Sequence, residues 1–113
     1  MIEKRKEARI PVEALPECLK KVVITSGFFQ EYTATTVDAT NYGMGFYVEG
    51  LTEKDLHIGE DISLKILPYN YKLKGRIVYV KKVGEEKIRF GIEFIKAHDL
   101  DKFNELLNLD IYK

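Results

Sequence analysis

Three stretches in the second half of the chain alternate apolar and polar side chains, and this period of two limits the folds that the chain can adopt. They span residues 61–67, 71–83 and 87–95. The apolar residues of the last stretch share one face and its charged residues the other: Ile88, Phe90, Ile92 and Phe94 against Lys87, Arg89 and Glu93. Because successive side chains of a strand point to opposite faces, the pattern predicts antiparallel strands with one buried and one solvated face.

In the middle stretch the same rule assigns four side chains to one face: Tyr71, Leu73, Ile77 and Tyr79. Turn-forming residues separate the three stretches, namely 68–70 with its proline and asparagine, and 84–85 with its glycine. Glycine adopts the positive φ that a tight hairpin needs. We therefore predict three consecutive strands joined by hairpins.

Residues 18–25, 32–38 and 44–48 have strand-like composition or alternation, which brings the predicted strands to six. Apolar residues then recur at helical spacing behind Asp99, which we predict to be the N-cap of an amphipathic helix over residues 99–108. The predicted fold class is mainly β. It is a six-stranded antiparallel β-barrel, closed or nearly closed, whose open end or side the C-terminal α-helix covers.

Composition and charge narrow the function classes. The 113 residues contain no Gly/Ser/Pro-rich linker, so we expect one domain, and a net charge of zero argues against wholesale binding to nucleic acid or to an acidic membrane. Cys18 is the single cysteine, which excludes an intrachain disulfide. No apolar run approaches the roughly 20 residues of a membrane span. We therefore predict a cytoplasmic protein.

The sequence shows no catalytic or metal-binding pattern. His57 and His98 are isolated, and no serine or cysteine lies in a nucleophile-elbow motif. No phosphate loop of the Walker or Rossmann type occurs. We predict no enzymatic activity, no metal site and no cofactor.

The first candidate motif is an Arg-x-x-x-Arg pattern formed by Arg5 and Arg9. The spacing puts both guanidinium groups on one side of the segment, whether it is helical or extended with the two residues about 13 Å apart. Arginine presents a planar fork of donors that suits phosphate and the edge of guanine. We expect residues 1–10 to form a flexible ligand-binding segment ahead of a single barrel domain at 11–113.

The second candidate motif spans Asp38 to Gly43, at the junction of two predicted strands, and Gly45 follows it. As a polar turn, it would use Asp38 to cap backbone amides and Gly43 to adopt positive φ. As a ligand site, it would use Asp38 to accept hydrogen bonds from guanine and Thr40 to fix the turn or a phosphate. Glycines would let a ligand approach the backbone.

Together and in this order, the two motifs resemble the signature of the PilZ domain family, Arg-x-x-x-Arg followed downstream by Asp/Asn-x-Ser-x-x-Gly. Residues 59–66, 75–78 and 89–94 resemble the later strands of that family, so the resemblance covers nearly the whole chain. The chain departs from the family at Thr40, where serine is usual, and the extra methyl stiffens χ1 and crowds a ligand.

The resemblance implies a split-barrel receptor for the bacterial second messenger cyclic di-GMP (c-di-GMP). The implied ligand-binding residues are Arg5, Arg9, Asp38, Thr40, Gly43 and Gly45. Both arginines would grip phosphates and guanine edges, Asp38 would read a guanine, and the last three would shape the pocket floor. Ligand binding would order the N-terminal segment and signal to a protein effector, in a pathway such as motility or biofilm regulation.

Two alternatives stay open on the sequence. Thr40, together with Phe28 and Phe29 at a predicted hairpin tip, is compatible with a PilZ-like interaction module that no longer binds the messenger. A small nucleic-acid-binding barrel would instead use the basic face of the later strands with nearby tyrosines: Lys72, Lys74, Arg76, Lys82, Lys87 and Arg89. The zero net charge weighs against the second alternative.

Overall fold

The structure, a computed structural model, describes residues 9–26, 30–67 and 69–108. Its strands are β1 (Ile10–Pro11), β2 (Lys21–Ser26), β3 (Gln30–Ala39), β4 (Gly43–Glu49), β5 (Asp61–Ile66), β6 (Tyr71–Gly84) and β7 (Lys87–Glu93). Two short 3-10 helices, Val12–Ala14 and Glu17–Leu19, lie between β1 and β2, and one α-helix, α1 (Ala97–Leu107), follows β7. No helix of the described part of the chain is long and apolar enough to cross a membrane.

Six strands form a closed antiparallel barrel in the order β3-β2-β5-β6-β7-β4, and β4 pairs with β3 to complete the circle. The short strand β1 extends this sheet by pairing with the end of β3, Ile10 opposite Ala39 and Pro11 opposite Asp38. The predicted mainly β fold with a C-terminal helix is confirmed. The additional strand was not predicted, because two residues are too few to show a period.

The barrel interior is filled by one apolar cluster to which every strand from β2 to β7 contributes. Phe46 of β4 and Phe90 of β7 are completely buried, with ring centroids 5.2 Å apart. Helix α1 buries Phe103 and Leu106 against the same cluster, and the Phe103 ring lies 4.5 Å from that of Phe94. The helix therefore belongs to the core, in agreement with its apolar spacing.

The helix begins two residues earlier than predicted, and Asp99 is not its N-cap. Lys96 occupies that position without a side-chain capping bond, and Asp99 lies in the first turn with 7% of its surface exposed. An acidic residue in the first turn interacts favourably with the helix dipole. An acidic residue is favourable both at the N-cap and in the first turn of a helix, so the sequence pattern did not distinguish these two positions.

The strand pairings of the described residues contain three register shifts, one of them between Lys82 and Gly84 at the end of β6. The other two are β-bulges that change the face to which nearby side chains point. Between β3 and β4, the register passes from Thr36 to Asp38, so that Val37 is an extra residue. Between β6 and β7, it passes from Ile77 to Tyr79, so that Val78 is extra. Each bulge shifts the alternation by one, which moves the following side chain from the core face to the outer face.

The prediction that Tyr79 shares the buried face of Ile77 is therefore wrong. The positive-φ predictions are also wrong at Gly43 and Gly84. Among the described residues, positive φ occurs at Gly50, Gly59 and Asn70.

Candidate functional site

Four strands bring the candidate site together on the outer face of the barrel. The register aligns one residue from each of them in a single row across the sheet: Asp38 on β3, Gly45 on β4, Gly91 on β7 and Tyr79 on β6. The outer members of the row, Asp38 and Tyr79, are the residues that follow the two bulges. The row therefore has polar side chains at both ends and a floor of bare backbone between them.

The central glycines are required by their neighbours in the row. A Cβ on Gly45 would lie 2.9 Å from Asp38 Oδ1 and 3.0 Å from the Tyr79 hydroxyl, and a Cβ on Gly91 would overlap the Tyr79 ring. The tyrosine ring therefore lies over Gly91, and its hydroxyl lies close to Gly45. An aromatic ring held above a side-chain-free floor forms a surface on which a planar base can pack.

Gly43 has a different role from Gly45, although only one residue separates them. Its φ is not positive, but a Cβ at this position would overlap the backbone carbonyl of Ile92 on the neighbouring strand. Close approach of two backbones, rather than turn geometry, therefore requires glycine here. This contact fixes β4 against β7 at the edge of the site.

Strand β1 delivers Arg9 to the site. Because Pro11 pairs with Asp38, the chain enters the barrel directly beside that carboxylate, and Arg9 Nη1 donates a hydrogen bond to Asp38 Oδ2 at 3.0 Å. The Arg9 side chain is 73% exposed, so this exposed ion pair contributes little to folding and leaves the guanidinium accessible. Arg5 lies outside the described residues.

Arg89 of β7 is a second cation at the same carboxylate, with Nη2 3.9 Å from Asp38 Oδ2. Its guanidinium also lies 5.8 Å from the centre of the Tyr47 ring. Burial by itself lowers the pKa of Arg89, but Tyr79, Tyr47 and Asp38 outweigh that effect and the pKa is raised. Arg89 is therefore a permanent cation, and its Nε is buried with no hydrogen-bond partner among the described residues.

Thr40 closes the turn that precedes β4. Its Oγ1 accepts a hydrogen bond from the Tyr42 backbone N–H at 3.1 Å, and its own N–H donates to the Gly43 carbonyl at 2.9 Å. The hydroxyl thus has the turn-fixing role that the sequence suggested. Asp38, in contrast, forms ion pairs with two arginines rather than capping backbone amides.

A cavity of about 220 Å³ opens over this row. Five of the six predicted residues line it: Arg9, Asp38, Thr40, Gly43 and Gly45. Tyr79 is among the lining residues that sequence reasoning missed, because the bulge that turns it outward leaves no mark in the alternation. Among the described residues, no group of three or more His, Cys, Asp or Glu side chains is arranged to hold a metal ion.

The sequence profile described as "PilZ domain" matches residues 3–109. The chain belongs to the PilZ domain family. The match includes both arginine positions and the Asp38–Gly43 motif, and it extends over every element of the barrel and into the end of α1. No curated protein sequence matches the chain.

Solved structures share the PilZ fold at low sequence identity. The PilZ domain of YcgR from Escherichia coli with c-di-GMP superposes with a TM-score of 0.65 at 13% identity, covering 97% of this chain and 94% of that one. The Bacillus subtilis inhibitor of motility MotI/DgrA gives 0.59 at 20% identity, with coverages of 98% and 51%. PlzA of Borreliella burgdorferi in complex with c-di-GMP gives 0.60 at 14%, with coverages of 94% and 42%. The chain thus spans about half or less of the last two proteins.

Proposed function

We propose that this PilZ domain is a non-catalytic receptor for c-di-GMP. The observation that carries the proposal is the carboxylate of Asp38, held by Arg9 and Arg89 at one end of a glycine floor. Two of the structurally similar proteins, YcgR and PlzA, are described in complex with this ligand. The sequence resemblance alone suggested the same ligand, and the geometry adds a site with matching chemistry.

The ligand offers groups that fit each part of the site. A carboxylate accepts the N1–H and N2–H of guanine, which are the donors that adenine lacks as a pair. Arg9, joined by Arg5 four residues earlier, supplies charge-assisted hydrogen bonds to the phosphodiesters. Gly45 and Gly91 leave room for the Tyr79 ring, and that ring provides an aromatic surface for a base. Thr40 and Gly43 hold the turn that positions Asp38.

The proposal includes a response to the ligand. The exposed Arg9 precedes β1, so a phosphate bound by Arg9 and Arg5 would order the N-terminal segment along the barrel wall. That ordered segment would present a new surface to a protein effector in the cytoplasm. Limited proteolysis with and without c-di-GMP tests this part, because ordering protects the segment from cleavage.

Calorimetric titration tests the ligand itself. We expect saturable binding of c-di-GMP and an affinity for cyclic di-AMP at least about tenfold weaker, because adenine leaves the Asp38 carboxylate without its donors. Asp38→Ala should remove this preference while leaving Arg9 in place. The proposal is wrong if c-di-GMP does not bind, or if both dinucleotides bind equally well.

One observation favours a second candidate, an interaction module that does not bind the messenger. The Tyr79 ring covers Gly91 and approaches Gly45, so it occupies part of the floor that a base would use. In this alternative, the tyrosine seals the site and the barrel only binds proteins. A null titration of the wild-type protein together with binding in Tyr79→Ala would support it, whereas saturable binding of c-di-GMP by the wild-type protein would contradict it.

A further inference from the structure

A second surface lies toward the start of β6, and the cavity there shares no lining residue with the candidate ligand site. We call it the lysine–tyrosine surface and define it by six residues: Tyr69, Tyr71, Lys72, Lys74, Lys96 and Lys102. It borders a cavity of about 310 Å³ between β5, β6 and the beginning of α1. We propose that this surface docks an acidic polypeptide segment of a protein partner. The idea rests on the proposed function only in that a receptor needs such a partner.

Uncompensated positive charge is the first reason. Lys72, Lys74 and Lys96 line the cavity, and none of them forms an ion pair with a residue that the structure describes. Asp99 is the one carboxylate among the described lining residues, and it is largely withdrawn from solvent. The lysine ammonium groups therefore remain available for carboxylates of another molecule.

Two nearby cations, Lys65 and Arg76, form ion pairs, unlike the three lysines that line the cavity. On the same outer face, Lys65 Nζ lies 3.3 Å from Glu31 Oε2, and Arg76 Nε lies 3.3 Å from Asp61 Oδ1. These two cations are already neutralised within the barrel. Lys72, Lys74 and Lys96, in contrast, have no ion-pair partner among the described residues.

Exposed aromatic surface is the second reason. Tyr69 and Tyr71 are 50% and 37% exposed, and their rings stack with centroids 5.5 Å apart. Lys102 Nζ of α1 lies 4.5 Å from the centre of the Tyr71 ring, which ties the helix to this pair. Tyrosines and apolar patches with a charged rim are typical of surfaces that bind proteins.

The same face disfavours nucleic acid. A phosphate backbone running along β5 and β6 would pass the carboxylates of Glu31 and Asp61, and the chain carries no net positive charge to attract it. An acidic peptide needs to neutralise only the local cluster. It can also place an apolar side chain on the tyrosine pair, which a phosphate backbone cannot.

Fluorescence anisotropy with a labelled peptide tests the proposal on the full chain. The probe is a fluorescein-labelled peptide in which phenylalanines alternate with pairs of glutamates, and its partner probe has lysine in place of every glutamate. We expect saturable binding of the acidic probe only. Lys72→Glu with Lys74→Glu should weaken it about tenfold or more, and Tyr69→Ala about threefold.

The matched control is Lys54→Glu with Lys82→Glu, which changes the net charge equally at exposed lysines outside the surface. It should change the affinity less than about twofold. Equal weakening by the two double variants, or no binding of the acidic probe, would overturn the proposal. Tighter binding of fluorescein-labelled oligothymidylate through the same lysines would also overturn it and assign the surface to nucleic acid. A parallel c-di-GMP titration of Lys72→Glu/Lys74→Glu should be unchanged, so that failure here is distinguishable from failure of the ligand site.

Discussion

The regular strand β5 encloses the same core as the bulged strands β3 and β6. The two kinds of strand differ in which side chains point inward. In β5 the alternate residues Ile62, Leu64 and Ile66 are all buried, and its pairing with β6 has no irregularity. Strand β3 has one register shift in its pairing with β4, and β6 has two in its pairing with β7; each shift changes which side chains point inward. The regular strand serves the core throughout, whereas each bulged strand turns one side chain of the candidate site, Asp38 or Tyr79, outward.

This difference shows how the barrel forms the candidate site without losing its core. A bulge interrupts the regular ladder at one point, but the strand resumes its alternation afterwards, so Ala39 and Val80 again pack inward. Glycines between the bulges complete the site, because any side chain there would collide with what the bulges expose. The core and the site thus use opposite faces of the same strands, and they should respond differently to substitution.

The largest expected effect separates the two glycines of β4. Gly43→Ala would force a Cβ into the Ile92 carbonyl, and backbone cannot move away easily, so we expect a loss of about 3 kcal/mol in the free energy of unfolding. Gly45→Ala meets only the ends of the Asp38 and Tyr79 side chains, which can rotate, so the loss should be about 1 kcal/mol. Urea unfolding of both variants measures this. Equal losses would show that the site floor is as rigid as the sheet.

The next expected effect is a loss of ligand binding with no change in the stability of the protein. Arg9→Ala should weaken c-di-GMP binding by roughly tenfold to a hundredfold, because it removes charge-assisted contacts to the ligand. The urea midpoint should stay unchanged, since the Arg9 side chain is mostly exposed. Arg76→Ala is the matched control, because Arg76 also forms an exposed ion pair but lies outside the site. Equal affinities of the Arg9 and Arg76 variants would remove Arg9 from the site.

The regular strands were predictable because apolar and polar residues alternate in their sequence just as inward and outward side chains alternate in their structure. That residues 38–43 contain a polar turn was also predictable from their residue types, whereas their role in ligand binding stays a prediction. The face of Asp38 was not predictable: counted by twos from the buried Thr36, it would point inward. Val37, which absorbs the change, is an ordinary strand residue and carries no signal of a bulge.

Arg89 shows a second limit of sequence reasoning. The alternation correctly assigned it to the polar outer face, as one of the basic residues of the later strands. In the closed barrel, β4 lies between β7 and β3, and it has a glycine, Gly45, opposite Asp38. This arrangement brings Arg89 Nη2 to 3.9 Å from Asp38 Oδ2. Contacts between strands that are distant in sequence depend on the strand order of the barrel, and the alternation of side chains does not show that order. The ligand-binding roles of Arg5 and of the other five candidate residues stay predictions.

A smaller effect tests whether Tyr79 and Gly91 form one unit. Gly91→Ala should cost about 2 kcal/mol of unfolding free energy, because the new Cβ displaces the Tyr79 ring. In a Tyr79→Ala background the same change should cost under about 0.5 kcal/mol, since the obstacle is gone. The two single variants and the double variant, unfolded in urea, give the coupling energy, expected to be about 1.5 kcal/mol. Additive losses would mean that the backbone, not the ring, excludes a side chain at Gly91.

The smallest effect concerns Thr40, where the hydroxyl and the methyl act separately. Thr40→Val removes the acceptor of the Tyr42 N–H, so we expect a loss of about 1 kcal/mol in unfolding free energy. Thr40→Ser keeps that acceptor and should change stability by less than about 0.5 kcal/mol. If the methyl crowds the ligand, Thr40→Ser will also tighten c-di-GMP binding, by up to about threefold. Unchanged affinity would mean that Thr40 acts on the ligand only through the turn, and a stable Thr40→Val would mean that the turn is held by the Thr40 N–H to Gly43 carbonyl bond alone.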